Sequence, residues 1–184
     1  MKNAIANIHA LVRQTARNAG SVKDYVERLE ARIGAMGKAH SLLTKSRWES
    51  VSFRELVEGE LEQYSHGGTS ILLDGPFIQL TPKAALALSL TIHELATNAV
   101  KYGALSVDGG AVSVEWRRLP DGGAEMHWQE SGGPEVHKPK RRGFGSTLIE
   151  RALSMETGGQ STLEFVPGGI VCRIVLPASS LIAG

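Results

Sequence analysis

The sequence predicts an α+β protein in which an N-terminal helical hairpin precedes an α/β sandwich. Three observations support this prediction. Apolar residues in the first 43 positions recur at helical spacing, and the later part of this stretch keeps a seven-residue repeat. Strand patterns after residue 111 come in pairs joined by tight turns, and helix patterns stand before and between these pairs. We therefore expect an antiparallel or mixed sheet with helices on one face.

The predicted hairpin occupies residues 1–46. Its first helix pattern has apolar spacings of 3, 4, 3 and 4 and stops at Gly20, after which Ser21 can cap the next helix. The second helix carries the seven-residue repeat from Val22 to Leu43. A hairpin of this kind buries only one apolar stripe, so we expect a second copy to complete a dimeric four-helix bundle. The alternative is that these helices pack on the domain that follows.

Residues 47–184 form the predicted second domain, which begins in a polar linker. We expect a helix over residues 53–64, because Ser52 can cap it, and a short strand over residues 71–73. Further along the chain, a loop rich in glycine and in basic residues precedes a helix predicted over residues 146–157.

Two hairpins complete the predicted sheet. Strands over residues 112–116 and 125–129 are joined by Pro-Asp-Gly-Gly, and strands over residues 161–166 and 170–176 are joined by Pro-Gly-Gly. Their apolar residues alternate with polar ones, as expected when one face of each strand is buried.

The central helix of the second domain begins at Pro82, with Thr81 as its N-cap, and ends at Gly103. Its last turns carry polar side chains on one face and apolar side chains on the other. The polar face has too few charges for a solvated surface and too many for a buried one. We interpret it as the wall of a ligand site, formed by Glu94, Asn98, Lys101 and Tyr102.

Composition argues against several classes of function. The formal net charge of +1 creates no field that would attract nucleic acid or a membrane surface. No apolar run reaches the roughly 20 residues that a membrane span needs. The single cysteine, Cys172, lies in an apolar alternating run, so we expect a packing residue in a reducing cytoplasm. The Gly-x-x-x-x-Gly-Lys-Ser/Thr pattern of P-loop enzymes is missing.

Three motifs together resemble a known family. His93 begins His-Glu-Leu-Ala-Thr-Asn-Ala-Val-Lys-Tyr-Gly-Ala-Leu, Trp128 and Glu130 stand in Trp-Gln-Glu before Ser-Gly-Gly-Pro, and Gly-Phe-Gly-Ser-Thr begins at Gly143. The set is similar to the HWE family of bacterial sensor histidine kinases, whose ATP-binding domain is of the GHKL, or Bergerat, type found in DNA gyrase. The resemblance covers almost the whole chain and implies that the cofactors are ATP and Mg²⁺.

The resemblance implies a role for each residue of the polar helix face. Asn98 would bind Mg²⁺ through its amide oxygen, and Glu94 would order a metal-bound water or act as a base. Lys101 would contact a phosphate, and Tyr102 would flank the nucleotide. His93 would support Glu94, although a lone histidine on a helix is more often a hydrogen-bonded structural residue.

The same resemblance implies contacts to the adenine and to the phosphates. Glu130 would accept a hydrogen bond from the adenine amino group, where most related proteins have an aspartate. Gly132 and Gly133 would allow the backbone to approach the base, and Trp128 is expected in the core. The phosphate contacts would lie on a loop closing over the triphosphate and on the helix after it. They are Arg141 or Arg142, Gly143, Gly145, Ser146 and Thr147.

The implied function is the histidine kinase core of a two-component system. Such a core passes the γ-phosphoryl group of ATP to a histidine and then to an aspartate of a response-regulator receiver domain. The family motif His-Arg-x-Lys-Asn would place the acceptor histidine two residues before Met1, and His9 is out of register. We therefore expect this chain to lack the acceptor and not to autophosphorylate. Two alternatives are a phosphotransfer or docking module with an idle nucleotide site, and an anti-sigma serine kinase, which the N-terminal hairpin disfavours.

Overall fold

The computed structural model describes residues 12–13, 15–16, 19–64, 68–135 and 153–182. The helices with complete bounds are α1 (Val22–Lys45), α2 (Phe53–Leu61) and α3 (Pro82–Tyr102). Residues 12–13, 15–16 and 153–157 are also helical. The strands are β1 (Val51–Ser52), β2 (Ser70–Asp74), β3 (Gln79–Leu80), β4 (Ala111–Arg118), β5 (Ala124–Ser131), β6 (Gln160–Val166) and β7 (Gly169–Leu176).

Within these described ranges, five strands form one mixed sheet in the order β2-β4-β5-β7-β6. β2 is parallel to β4, and every other neighbouring pair is antiparallel. The register places Val114, Trp128 and Cys172 side by side, and all three side chains are fully buried. Alternate residues such as Glu115 and His127 are exposed on the other face. The predicted α+β fold, with a mixed sheet covered by helices on one face, is confirmed.

A second, very small sheet joins β1 to β3 in antiparallel orientation, with Val51 opposite Leu80. β1 lies in the predicted polar linker, and neither strand was predicted, because strands of two residues have no periodicity to detect. The pair brings the beginnings of two helices together. Ser52 caps α2 and Thr81 caps α3, each by accepting a hydrogen bond from a backbone N–H two or three residues into its helix.

The predicted helix over residues 53–64 is confirmed, with its last turn in 3₁₀ geometry over Glu62–Tyr64. Residues 153–157 confirm the end of the helix predicted over residues 146–157, and its earlier part lies outside the described residues. Most of the first predicted helix of the hairpin also lies outside the described residues. No helix in the described part of the chain is both long enough and apolar enough to cross a membrane.

α1 packs along α3, as the alternative interpretation of the hairpin predicted. Ala39 and Leu43 are fully buried in the core that α1 shares with the second domain. The first half of the seven-residue repeat is not covered, since Val22, Val26 and Ile33 are 80%, 42% and 46% exposed. Small alanines on the opposite side of α1 allow its close approach to α3. The dimeric bundle and the domain boundary at residue 46 stay predictions.

Candidate functional site

The polar face of α3 forms as predicted from the sequence. Glu94, Asn98, Lys101 and Tyr102 follow one another along the helix and all line one cavity of about 100 Å³. Glu94 is buried, Asn98 is half-buried, and Lys101 and Tyr102 are exposed. The helix ends where expected, because Gly103 donates its backbone N–H to the carbonyl groups of the last turn. A carboxylate, an amide and an ammonium group are therefore brought to one surface.

The opposite wall of this cavity comes from α1. The Nε of Arg32 donates to Oε1 of Glu94 at 2.7 Å, and its Nη1 donates to Oγ1 of Thr15 at 2.8 Å. The side chains of Arg32 and Glu94 are only 3% and 11% exposed, so they form a buried ion pair. The sequence analysis missed Arg32. No local pattern signals its partner, which lies 62 residues further along the chain.

A second buried polar cluster joins three helices next to this cavity. The Oγ of Ser89, on α3, lies 2.6 Å from Oε1 of Glu60 on α2 and 3.2 Å from the carbonyl oxygen of Ala35 on α1. Burial raises the pKa of the Glu60 carboxyl group, and burial lowers the pKa of His93. The Nδ1 of His93 lies 3.9 Å from Oε2 of Glu60, and neither atom has a hydrogen-bond partner among the described residues.

This cluster surrounds His93 with buried groups, but the Nδ1 of His93 accepts or donates no hydrogen bond among the described residues, so the hydrogen-bonded structural role stays a prediction. The predicted support of Glu94 by His93 stays a prediction. Glu60 was not identified from the sequence, because a glutamate on a short amphipathic helix is ordinarily solvent-exposed. Its burial follows from the packing of α1 over α2 and α3.

Glu130 lies on β5 and connects the sheet to the end of α3. Its Oε2 accepts a hydrogen bond from the backbone N–H of Ala104 at 3.0 Å, and its Oε1 accepts one from Nε1 of Trp128 at 3.4 Å. The residue is 2% exposed, and this burial raises the pKa of its carboxyl group although both hydrogen bonds oppose the change. The described partners of Glu130 are thus protein groups. Its contact with adenine stays a prediction.

The glycines after Glu130 allow two chain segments to approach closely. Gly132 has a positive φ of 69°, and Gly133 donates its N–H to the carbonyl oxygen of Gly168 at 3.1 Å. A Cβ added to Gly133 would lie 2.8 Å from the backbone of Ala104. The structure therefore shows that these glycines pack the loop after β5 against the end of α3. Their contact with a base stays a prediction.

Trp128 is fully buried in the core, as predicted. Cys172 is also fully buried, and burial raises the pKa of its thiol to about 12, which confirms a packing residue and not a nucleophile. The described residues contain no cluster of three or more His, Cys, Asp or Glu side chains able to hold a metal ion.

The predicted phosphate contacts cannot be placed, because residues 136–152 lie outside the described part of the chain. This range holds Arg141, Arg142, Gly143, Gly145, Ser146 and Thr147.

Comparison with known proteins shows which kinases the chain is similar to. Residues 1–77 match the family described as HWE histidine kinase. Blue-light-activated histidine kinases of Brucella ovis and Brucella melitensis are 34% identical over 180 residues, which is 96% of this chain and 37% of each relative. The enzyme of the same name from Brucella anthropi is 35% identical over 183 residues, 97% of this chain and 37% of the relative. The chain is therefore similar to HWE histidine kinases over residues 1–77 and to these blue-light-activated kinases over nearly its whole length.

The chain also has the fold of solved histidine kinases. The blue-light activated histidine kinase of Erythrobacter litoralis EL346 superposes with a TM-score of 0.71 at 14% identity, over 96% of this chain and 59% of that one. The mycobacterial sensor histidine kinase MprB gives a TM-score of 0.54 at 18% identity, over 70% of this chain and 97% of that one. At these identities the likeness shows the fold alone. The chain spans 37% of the length of the curated Brucella relatives that it matches.

Proposed function

We propose that this chain is the catalytic core of a histidine kinase that binds Mg²⁺-ATP on the polar face of α3. The γ-phosphoryl group would pass to a histidine and then to an aspartate of a receiver domain. One observation carries the proposal, namely the common surface that Glu94, Asn98, Lys101 and Tyr102 form in a chain similar to HWE histidine kinases. The Brucella relatives, which are named as kinases, support it.

The side chains of this face fit a metal-bound triphosphate in chemical type. Mg²⁺ binds hard oxygen ligands and retains water, and the amide oxygen of Asn98 and the carboxylate of Glu94 are ligands of this kind. When bound, Mg²⁺ would neutralise charge on the phosphate oxygens. Lys101 would hold a phosphate as a point charge, and Tyr102 would limit the position of the nucleotide. The contribution of these residues is positioning and charge compensation.

Titration calorimetry with Mg²⁺-ATP tests this proposal. We expect the wild-type protein to bind and Asn98→Ala to bind at least about tenfold more weakly, because the variant loses a metal ligand. Gln129→Ala is the matched control, since Gln129 is exposed on a strand and does not line the cavity. Equal affinities of wild-type protein and Asn98→Ala would remove α3 from the proposed nucleotide site.

We also propose that the N-terminal helices form a homodimer in the cytoplasm, as in the expected four-helix bundle. The apolar residues Val22, Val26 and Ile33 on the outer side of α1 support this. Light scattering coupled to size exclusion measures the mass, and Val26→Glu is expected to shift it towards the monomer. A monomeric wild-type protein at high micromolar concentration would contradict the dimer.

A docking module with an idle nucleotide site is the second candidate function. The small cavity and the Arg32–Glu94 ion pair favour it, because both leave little room for a nucleotide in this arrangement. Thermal unfolding at millimolar Mg²⁺-ATP separates the two candidates. A rise in Tm supports the kinase core, and an unchanged Tm supports the docking module.

A further inference from the structure

α1 lies against the same face of α3 that the proposed function assigns to Mg²⁺-ATP. The cavity between the two helices has a volume of about 100 Å³. Sites for small molecules and cofactors usually measure roughly 300 to 1,000 Å³. The cavity is therefore smaller than a usual nucleotide site while α1 stays in this position. Four residues of α1 form the covering wall, namely Glu27, Arg28, Ala31 and Arg32.

Arg32 brings to Glu94 the kind of charge that a metal ion would bring. Its guanidinium group is 2.7 Å from the Glu94 carboxylate, and both side chains are largely buried. A buried carboxylate needs a cationic partner, so Glu94 is compensated either by Arg32 or by another cation at the same oxygens. Arg32 and Mg²⁺ would thus compete for one carboxylate.

The two halves of α1 are held very differently. The C-terminal half is anchored by Ala39 and Leu43, which are fully buried, whereas Val22 and Val26 near the N-terminus are 80% and 42% exposed. In its N-terminal half, the buried contact of α1 with α3 is the Arg32–Glu94 ion pair. The apolar residues Val22, Val26 and Ile33 of this half are exposed, so this half can separate without breaking the hydrophobic core.

Two glycines stand close to the boundary between these halves. A Cβ added to Gly34 or to Gly37 would meet no atom within 4 Å, so packing does not require glycine at either position. Glycine inside a helix weakens it, and glycines are frequent where helices bend. The sequence therefore has a weak point between the anchored part of α1 and the part that carries Arg32.

We propose that α1 is an internal competitor of Mg²⁺-ATP. In the closed arrangement Arg32 neutralises Glu94 and α1 covers the polar face of α3. Nucleotide binding requires the N-terminal half of α1 to move away by bending at Gly34 and Gly37. The inference rests on the proposed function and adds its regulation, since any event that moves the N-terminal half of α1 would change nucleotide affinity.

The first test compares two basic residues of α1 in the full 184-residue chain by titration calorimetry with Mg²⁺-ATP. Arg32→Gln removes the charge that compensates Glu94, so the closed state is less populated and the apparent affinity rises. We expect at least about fivefold tighter binding than wild type. Lys23→Gln is the control, because Lys23 lies on the same half of α1, its side chain is 88% exposed, and it does not line the cavity. We expect its affinity to stay within about twofold of wild type.

A second variant tests the bend and does not depend on the stability of Arg32→Gln. The double substitution Gly34→Ala with Gly37→Ala stiffens α1 without a clash, so the closed state gains population. We expect about threefold weaker Mg²⁺-ATP binding and increased helix content by circular dichroism.

The outcomes separate the competitor inference from the proposed function. If the wild type binds Mg²⁺-ATP and Arg32→Gln binds it no more tightly than the wild type does, the competitor role is overturned and the nucleotide site stays intact. Unchanged affinity in the double glycine variant would overturn the bend. Absence of Mg²⁺-ATP binding in wild type and in both variants would refute the proposed function, and the inference with it. Binding by Arg32→Gln alone would support both.

Discussion

The protonation state of Glu60 can be predicted from the hydrogen bonds of a single hydroxyl group. The Ser89 hydroxyl has one proton but lies within hydrogen-bond distance of two acceptors, Glu60 and the carbonyl oxygen of Ala35. A carbonyl group can only accept. Both contacts are therefore satisfied when Ser89 donates to Ala35 and a protonated Glu60 donates to Ser89. We predict that the folded protein keeps Glu60 neutral to a higher pH than the unfolded chain does.

The direction of the pH dependence follows from this state. Burial raises the pKa of Glu60 above its usual 4.5, and this effect exceeds the opposing effect of the charge on Lys38. The folded state then holds the proton more tightly than the unfolded state, so the contribution of Glu60 is complete below pH 4.5 and is lost as the pH rises through the folded pKa. Two other titratable groups near Glu60 are Tyr64 after α2 and His93 on α3.

Two substitutions separate the charge of Glu60 from its size. Glu60→Gln keeps the shape and always carries a donor for Ser89, so we expect it to be at least as stable as wild type at pH 8 and to have a flatter pH dependence. Glu60→Ala loses one hydrogen bond, worth about 1 kcal/mol, and leaves a cavity of roughly 50 Å³, worth about 1 kcal/mol at about 24 cal/mol per Å³. We expect Glu60→Ala to be about 2 kcal/mol less stable at pH 5.

The free energy of unfolding from urea denaturation between pH 5 and pH 8 is the measurement. Glu62→Gln is the control, since Glu62 is exposed and lies outside the buried cluster. A Glu60→Gln variant with the pH profile of wild type, or one destabilised by about 2 kcal/mol at pH 8, would show that Glu60 is ionised and that Ser89 donates to it.

Three further predictions concern single contacts. Glu125 is covered by Arg117 and Arg173, whose hydrogen bonds hold its pKa at about 2. In urea denaturation the wild type should therefore lose about 1 to 2 kcal/mol of unfolding free energy as the pH falls from 4.5 towards 2, a value already reduced for the solvent around both arginines. Glu125→Gln should abolish this loss. Gly103→Ala should lower the free energy of unfolding by about 2 to 3 kcal/mol, because the new Cβ would lie 2.0 Å from Oε2 of Glu130, whereas Gly59→Ala, in open space, should be neutral or stabilising. Thr81→Ala should lower Tm by a few degrees through loss of the N-cap hydrogen bond to Ala84, corresponding to about 1 kcal/mol, and a Tm equal to that of wild type would contradict the cap.

Elements with short-range signals could be predicted closely from the sequence. The predicted N-caps Ser21, Ser52 and Thr81 all accept the expected hydrogen bond in the structure. Each cap depends on a partner within three residues, so the local sequence contains all the information. The hairpins after residue 111 were predictable for the same reason, since alternation and turn residues determine them.

The sequence by itself determined the polar face of α3 and most of the elements, because motifs and periodicity are local. Only the tertiary structure decided what those side chains contact. Glu94 pairs with Arg32, 62 residues away, and Glu130 contacts the backbone of Ala104, 26 residues away. The partner of each buried group depends on how α1 and the sheet pack around α3. The spacing of residues along the chain does not determine that packing.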